Sequence, residues 1–199
     1  MMSRRRTVLA AALSLLPLGQ PLVLGSSTAL ATGAVLLSTQ AADAQSSDDY
    51  VNAGVEKGMS GDFRGAIADF NKALEINPQD AIAYYNRGNA KDDLGDYQGA
   101  IADYTKAIEI NPQDASAYYN RGYAKNNLKD YQGAIADYNK ALAINPQDYA
   151  AYTNRGIAKR NLGDQQGACA DYKKASSLGY QRAAQWLNIE EGAWCRNMR

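Results

Sequence analysis

A period of 34 residues dominates this sequence. Residues 81–114 and 115–148 agree at 26 of 34 positions, and residues 47–80 and 149–182 keep the same register more loosely. A unit this short cannot bury its own apolar side, so copies must stack, and at least three are needed for a continuous core. Inside a unit the apolar residues fall at helical intervals, as in the stripe Ala100, Ile101, Tyr104, Ala107 and Ile108. Punctuation stands between such stripes. Leu94-Gly95-Asp96 returns as Leu162-Gly163-Asp164, where Gly suits a left-handed turn and Asp caps the next helix. Asn-Pro-Gln-Asp follows the second stripe, because Pro cannot continue a helix. Each unit therefore reads as two helices and a turn.

Particular places in the unit carry particular residue types. The fourth place holds Tyr50, Tyr84, Tyr118 and Tyr152, and the eighth holds Gly54, Gly88, Gly122 and Gly156. A small residue recurs at the twentieth (Ala66, Ala100, Ala134, Ala168) and at the twenty-seventh (Ala73, Ala107, Ala141, Ala175). The twenty-fourth is aromatic (Phe70, Tyr104, Tyr138, Tyr172), and the thirty-second is Pro78, Pro112 and Pro146, with none in the last unit. Small residues let helices cross closely, and the rings fill the space between one hairpin and the next. In these places the chain closely resembles the tetratricopeptide repeat family over residues 47–182, in its bacterial exported form. The resemblance implies an all-α, right-handed α-solenoid of four helix-turn-helix repeats, 47–80, 81–114, 115–148 and 149–182, followed by a capping helix and tail over 183–199.

Composition excludes several function classes. Basic and acidic residues number 21 each, so the strong positive field of a nucleic-acid binder is missing. There is no His, hence neither the commonest general base nor the commonest metal ligand. No nucleophile elbow, phosphate loop or metal-ligand cluster is present, and the Asp pattern simply follows the repeat. The expectation is a non-enzyme with no cofactor, no metal, no nucleic acid and no small-molecule substrate, whose partner is another protein or peptide.

The first 44 residues read as an address. Arg4-Arg5-Arg6 precedes a stretch with no charge from Thr7 until Asp43, which ends in the small-x-small pattern Ala42-Asp43-Ala44. That order predicts a signal peptide over 1–44, cleaved after Ala44. Ser3 to Leu9 also resembles a twin-arginine motif. The alternative is an uncleaved N-terminal membrane helix, against which Pro17, Pro21 and Gly25 argue; a membrane is involved only if this segment is kept. The expected location is outside the cytoplasm: periplasm or thylakoid lumen, alternatively secreted.

Gln181 to Trp194 reads as one further helix with Ala183, Ala184, Trp186, Leu187 and Trp194 as its apolar residues. Cys169 occupies the place of Ile67, Ile101 and Ile135, which faces inward, and Cys195 follows the cap helix. A Cys169–Cys195 disulfide is expected there, and export would permit it. The alternative is two free thiols, one in the core and one near the tail.

Two ladders run through the units. Arg87, Arg121 and Arg155 at the seventh place should need carboxylate partners, which Asp69, Asp103, Asp137 and Asp171 at the twenty-third can supply. Lys57, Lys91, Lys125 and Lys159 are expected in solvent or in the same networks. Asn52, Asn86, Asn120 and Asn154 form the second ladder, at the sixth place. An amide offers donor and acceptor together, suited either to the backbone of an extended peptide or to bridging adjacent first helices.

In the family the second, fifth, sixth, ninth, twelfth and thirteenth places face a concave groove. Half of the eight differences between the two most similar units fall on those places: Ile82/Ser116, Asn89/Tyr123, Asp92/Asn126 and Asp93/Asn127. The candidate peptide-binding residues are thus Val51, Asn52, Val55, Tyr85, Asn86, Asn89, Tyr119, Asn120, Tyr123, Thr153, Asn154 and Ile157. Few of these are charged, so a weakly charged partner segment is expected. The family's clamp for chaperone C-terminal carboxylates is broken: Tyr85 replaces a Lys, and Ala150 and Asn154 replace basic residues.

Overall fold

A computed structural model describes residues 45–188 and 192–196. The N-terminal segment 1–44, with its expected signal peptide, lies outside the described residues. Eight helices form four antiparallel hairpins: α1 (Ser47–Met59) with α2 (Phe63–Ile76), α3 (Ala81–Asp93) with α4 (Tyr97–Ile110), α5 (Ala115–Asn127) with α6 (Tyr131–Ile144), and α7 (Tyr149–Asn161) with α8 (Gln165–Ser177). Each second helix packs on the first helix of the next hairpin, and successive first helices also touch. This is the all-α solenoid expected of the repeat.

The helix ends follow the sequence punctuation. Asp62, Asp96, Asp130 and Asp164 cap α2, α4, α6 and α8, each accepting the N–H of the Gly three residues on at 2.8–3.0 Å. The last Asp of each Asn-Pro-Gln-Asp turn caps the next first helix: Asp80 accepts the amides of Ile82 and Ala83 at 2.9 and 3.0 Å. In the hairpin turns Gly61, Gly95 and Gly163 have φ of 86°, 78° and 85°, and in the third hairpin the same place holds Lys129 at φ 64°.

The core is a column of small residues crossed by rings. Ala66, Ala100, Ala134 and Ala168 are fully buried, and the rings of Phe70, Tyr104 and Tyr138 are at most 2% exposed. A Cβ added to Gly88 would stand 2.7 Å from Tyr104 Cε1, and one on Gly54 would stand 2.6 Å from Phe70 Cε1. The eighth place is Gly because the ring of its own hairpin lies against the helix backbone there.

The Arg–Asp ladder forms within each of the last three hairpins. Arg121 grips Asp137 with Nε at 2.9 Å and Nη2 at 2.6 Å, and Lys125 Nζ adds 2.8 Å to the same carboxylate. Arg87 and Lys91 hold Asp103 likewise, and Arg155 and Lys159 hold Asp171. The third guanidinium nitrogen reaches back one hairpin: Arg87 Nη1 donates to Asn71 Oδ1 at 2.6 Å, Arg121 Nη1 to Thr105 Oγ1 at 3.1 Å, and Arg155 Nη1 to Asn139 Oδ1 at 2.6 Å. Each guanidinium also lies over the fourth-place ring, Tyr84, Tyr118 or Tyr152, at 5.2–5.6 Å. The ladder therefore ties hairpins together as well as their own two helices. The first hairpin has Ala53 at the Arg place, and there Lys57 holds the buried Asp69.

Within the expected cap helix, Gln181 to Trp194, the described residues are helical as α9 (Gln181–Asn188) and α10 (Ala193–Arg196), and residues 189–191 lie outside the described residues. Cys169 and Cys195 form a disulfide with Cα atoms 5.3 Å apart, which ties α10 to α8. The side chain of Trp186 lies outside the described residues.

Candidate functional site

The first helices α1, α3, α5 and α7 carry every candidate groove residue, and the structure sorts these residues into three roles. Val51 leaves the set. It is 8% exposed, packed with Phe70, Ala73 and Leu74, and offers a ligand no surface. Its hairpin opens the array, so its fifth-place residue fills the core where later hairpins place Tyr85 and Tyr119.

Five residues form bridges between neighbouring first helices. Asn120 Nδ2 donates to the Tyr85 hydroxyl at 3.1 Å and to Asn89 Oδ1 at 2.9 Å. The Tyr104 hydroxyl donates to the same Asn89 oxygen at 2.9 Å, which closes a network around the α3–α5 step. One step on, Asn154 Nδ2 donates to the Tyr119 hydroxyl at 2.7 Å. The amide ladder thus divides: Asn120 and Asn154 spend their N–H groups on structure and keep their oxygens. Asn86 has Val51, not Tyr, at the corresponding place one hairpin back, and among the described residues neither Asn86 nor the exposed Asn52 has a side-chain hydrogen-bond partner.

Three cavities open along the first helices. One of about 230 Å³ lies between α1 and α3 and is lined by Val55, Asn86, Asn89 and Asp93 together with Gly58, Met59 and Phe63. One of about 370 Å³ lies between α3 and α5, lined by Asn89, Asp92, Asp93, Tyr104, Tyr119, Asn120 and Tyr123. A third, of about 290 Å³, sits between α7 and the cap, where Thr153, Ile157, Arg160 and Tyr172 meet Tyr180, Arg182 and Ala183. Eight of the twelve candidates therefore line cavities: Val55, Asn86, Asn89, Tyr119, Asn120, Tyr123, Thr153 and Ile157.

Sequence reasoning missed the charged lining. Asp92 and Asp93 stood out as places where units two and three differ, yet they were not among the candidates. Burial, reinforced by the neighbouring Asp93 charge, pushes the Asp92 carboxyl up to about 6. Burial also raises the hydroxyls of Tyr104, Tyr119 and Tyr138, so these remain neutral hydrogen-bonding groups. Arg160 and Arg182 give the cap-side cavity the opposite charge.

Comparison with known proteins agrees with this architecture. The tetratricopeptide repeat profile matches residues 81–114 and 115–148, a second TPR repeat profile matches residues 60–91, and a further tetratricopeptide repeat profile matches residues 137–170. A comparison with curated proteins found no match. Among solved structures, a crystal structure of MamA is 27% identical with a TM-score of 0.68, covering 74% of this chain and 86% of that one. The TPR domain of Arabidopsis OM64 is 29% identical with a TM-score of 0.57, covering 58% of this chain and 95% of that one. Residues 41 to the end of MamA from Desulfovibrio magneticus RS-1, at 22% identity and a TM-score of 0.64 over 68% of this chain and 77% of that one, share the fold. Proteins of this repeat class are generally non-enzymatic scaffolds for protein–protein interaction. With four helical hairpins in register and its repeat places matched from residue 60 to 170, the chain belongs to the tetratricopeptide repeat family.

Proposed function

We propose that this protein is an exported adaptor or assembly factor that holds an extended segment of a partner protein along its first helices. The observation that carries the reading is the set of cavities along the first helices, two between successive first helices and one between α7 and the cap, each lined by different residues. A scaffold repeated at its Gly, Ala and ring places, with a varied lining, can read a specific sequence of side chains. The unpartnered amide of Asn86 and the free oxygens of Asn120 and Asn154 suit a peptide backbone. Export, to the periplasm or thylakoid lumen or into the medium, rests on the charge and cleavage pattern of residues 1–44.

The test is site-directed photo-crosslinking in cells producing the full chain. A crosslinker at Tyr123, which is 41% exposed on the groove, should trap a partner, while one at the exposed Glu75 on α2 should not. Adducts from Glu75 alone would move the interface to the outer helices and end the groove reading. N-terminal sequencing of the recovered protein should begin at Gln45; a start at Met1 would mean that the N-terminal segment is kept and the scaffold is membrane-tethered.

A further inference from the structure

The α3–α5 cavity differs from the others in what it leaves unsatisfied. Asp92 and Asp93 stand on its α3 side, and among the described residues neither has an ion-pair partner. The neighbouring lysines are committed elsewhere, Lys91 to Asp103 at 2.7 Å and Lys125 to Asp137 at 2.8 Å. Asp92 Oδ1 is buried without a hydrogen bond. A buried carboxylate oxygen left open in this way costs free energy until something donates to it.

A second buried polar group is left open one hairpin on. The Tyr138 side chain is fully buried, and its hydroxyl has no partner among the described residues. One hairpin earlier the equivalent Tyr104 hydroxyl donates to Asn89. In the third hairpin that ninth-place acceptor has become Tyr123, and the hydroxyl is orphaned. Its electrostatic neighbours include Tyr119, Tyr123 and Asp92, all walls of the cavity.

We infer that this cavity is a specificity subsite for a cationic side chain, Lys or Arg, of the partner segment. The inference rests on the groove reading above and names the chemistry of one step in it. A guanidinium or ammonium entering here meets the carboxylates of Asp92 and Asp93 with charge-assisted hydrogen bonds and the rings of Tyr119 and Tyr123 for cation–π contact. A carboxylate would be repelled, and an apolar side chain would leave Asp92 buried and unpaired. At the cap end Arg160 and Arg182 line another cavity, so a cation is disfavoured there and the segment has a single favoured register. The expectation of a weakly charged partner is thereby narrowed to one cation at one position.

The test uses the full chain, isotopically labelled, and four acetylated and amidated nine-residue peptides. All share the frame Ser-Ala-Val-Ala-X-Ala-Val-Ala-Ser, with Arg, Lys, Gln or Glu at X. The Arg and Lys peptides should shift the backbone amides of residues 89–93 and 119–123 and bind roughly tenfold more tightly than the Gln peptide. Asp92→Asn/Asp93→Asn should abolish that preference, so that the Arg, Lys and Gln peptides bind alike, while amides outside the cavity keep their wild-type positions. Equal shifts of the same amides by Gln and Arg peptides would overturn the cation subsite and leave the groove reading standing. If no peptide moves a groove amide, both readings fall.

Discussion

Replacing Arg121 with Met tests whether the Arg–Asp ladder holds the array together. Met keeps an aliphatic stem over the Tyr118 ring but removes the fork that grips Asp137 at 2.9 and 2.6 Å and the reach to Thr105 at 3.1 Å. Asp137 is 3% exposed, so its carboxylate cannot turn to water, and Lys125 at 2.8 Å becomes its one cation. Breaking a buried pair from one side costs about 3–5 kcal/mol. Since Lys125 stays, the expected loss is about 3 kcal/mol, a large share of the roughly 5–15 kcal/mol that holds a domain folded. Urea unfolding at pH 7, followed by helix signal, reads it. The double variant Arg121→Met/Asp137→Leu should recover most of the loss, because an apolar pair needs no desolvated charge and Lys125 can swing to solvent. A single variant within about 1 kcal/mol of wild type, or a double variant as unstable as the single, would refute the account. The first hairpin supplies an internal comparison. Asp69 has Lys57 but no Arg, so Lys57→Met should destabilise more than Lys125→Met.

Other expectations follow from packing, backbone and charge. Gly88→Ala puts a methyl 2.7 Å from a Tyr104 ring that Asn89 pins through its hydroxyl, and should cost about 1–3 kcal/mol in thermal or urea unfolding. Gly58→Ala, whose methyl would meet only Ala66 at 3.9 Å, should not destabilise, as Ala favours the helix. Lys129→Gly relieves a left-handed residue at φ 64° and should stabilise by about 1 kcal/mol; a loss would mean that Lys129 makes a favourable contact. Reducing the Cys169–Cys195 bridge, which spans 26 residues, should lower stability by about 3 kcal/mol, and thiol titration without reductant should find no free thiol. Asp92 binds its proton more tightly when folded, its carboxyl being raised to about 6 by burial and by Asp93. The native state therefore holds more protons than the unfolded one between about pH 4 and 6, and stability from this group falls as pH rises through that window. Asp92→Asn should be more stable than wild type at pH 7, with the gap closing by pH 4; Asp93 and the neutral hydroxyls of Tyr104 and Tyr138 are the other groups facing it. A constant gap across that range would remove Asp92 as the titrating group.

The scaffold was readable because repetition multiplies each weak signal. A single Gly eight places into a unit means little, but four of them facing Phe70, Tyr104, Tyr138 and Tyr172 report one steric requirement met four times. Arg and Asp sixteen residues apart, three times over, likewise report one ion pair. The groove was harder because its chemistry depends on neighbours in the preceding hairpin. Whether an Asn at the sixth place is a bridge or a free amide turns on the fifth place of the unit before it: Tyr85 and Tyr119 capture Asn120 and Asn154, while Val51 leaves Asn86 open. In a repeat protein, what recurs describes the scaffold, and what departs from the pattern is where specificity can reside. The change from Asn89 to Tyr123 is such a departure. It removes the acceptor for the buried Tyr138 hydroxyl, sets a ring in the wall of the cavity that Asp92 and Asp93 line, and makes one step of an otherwise regular array chemically unlike the rest.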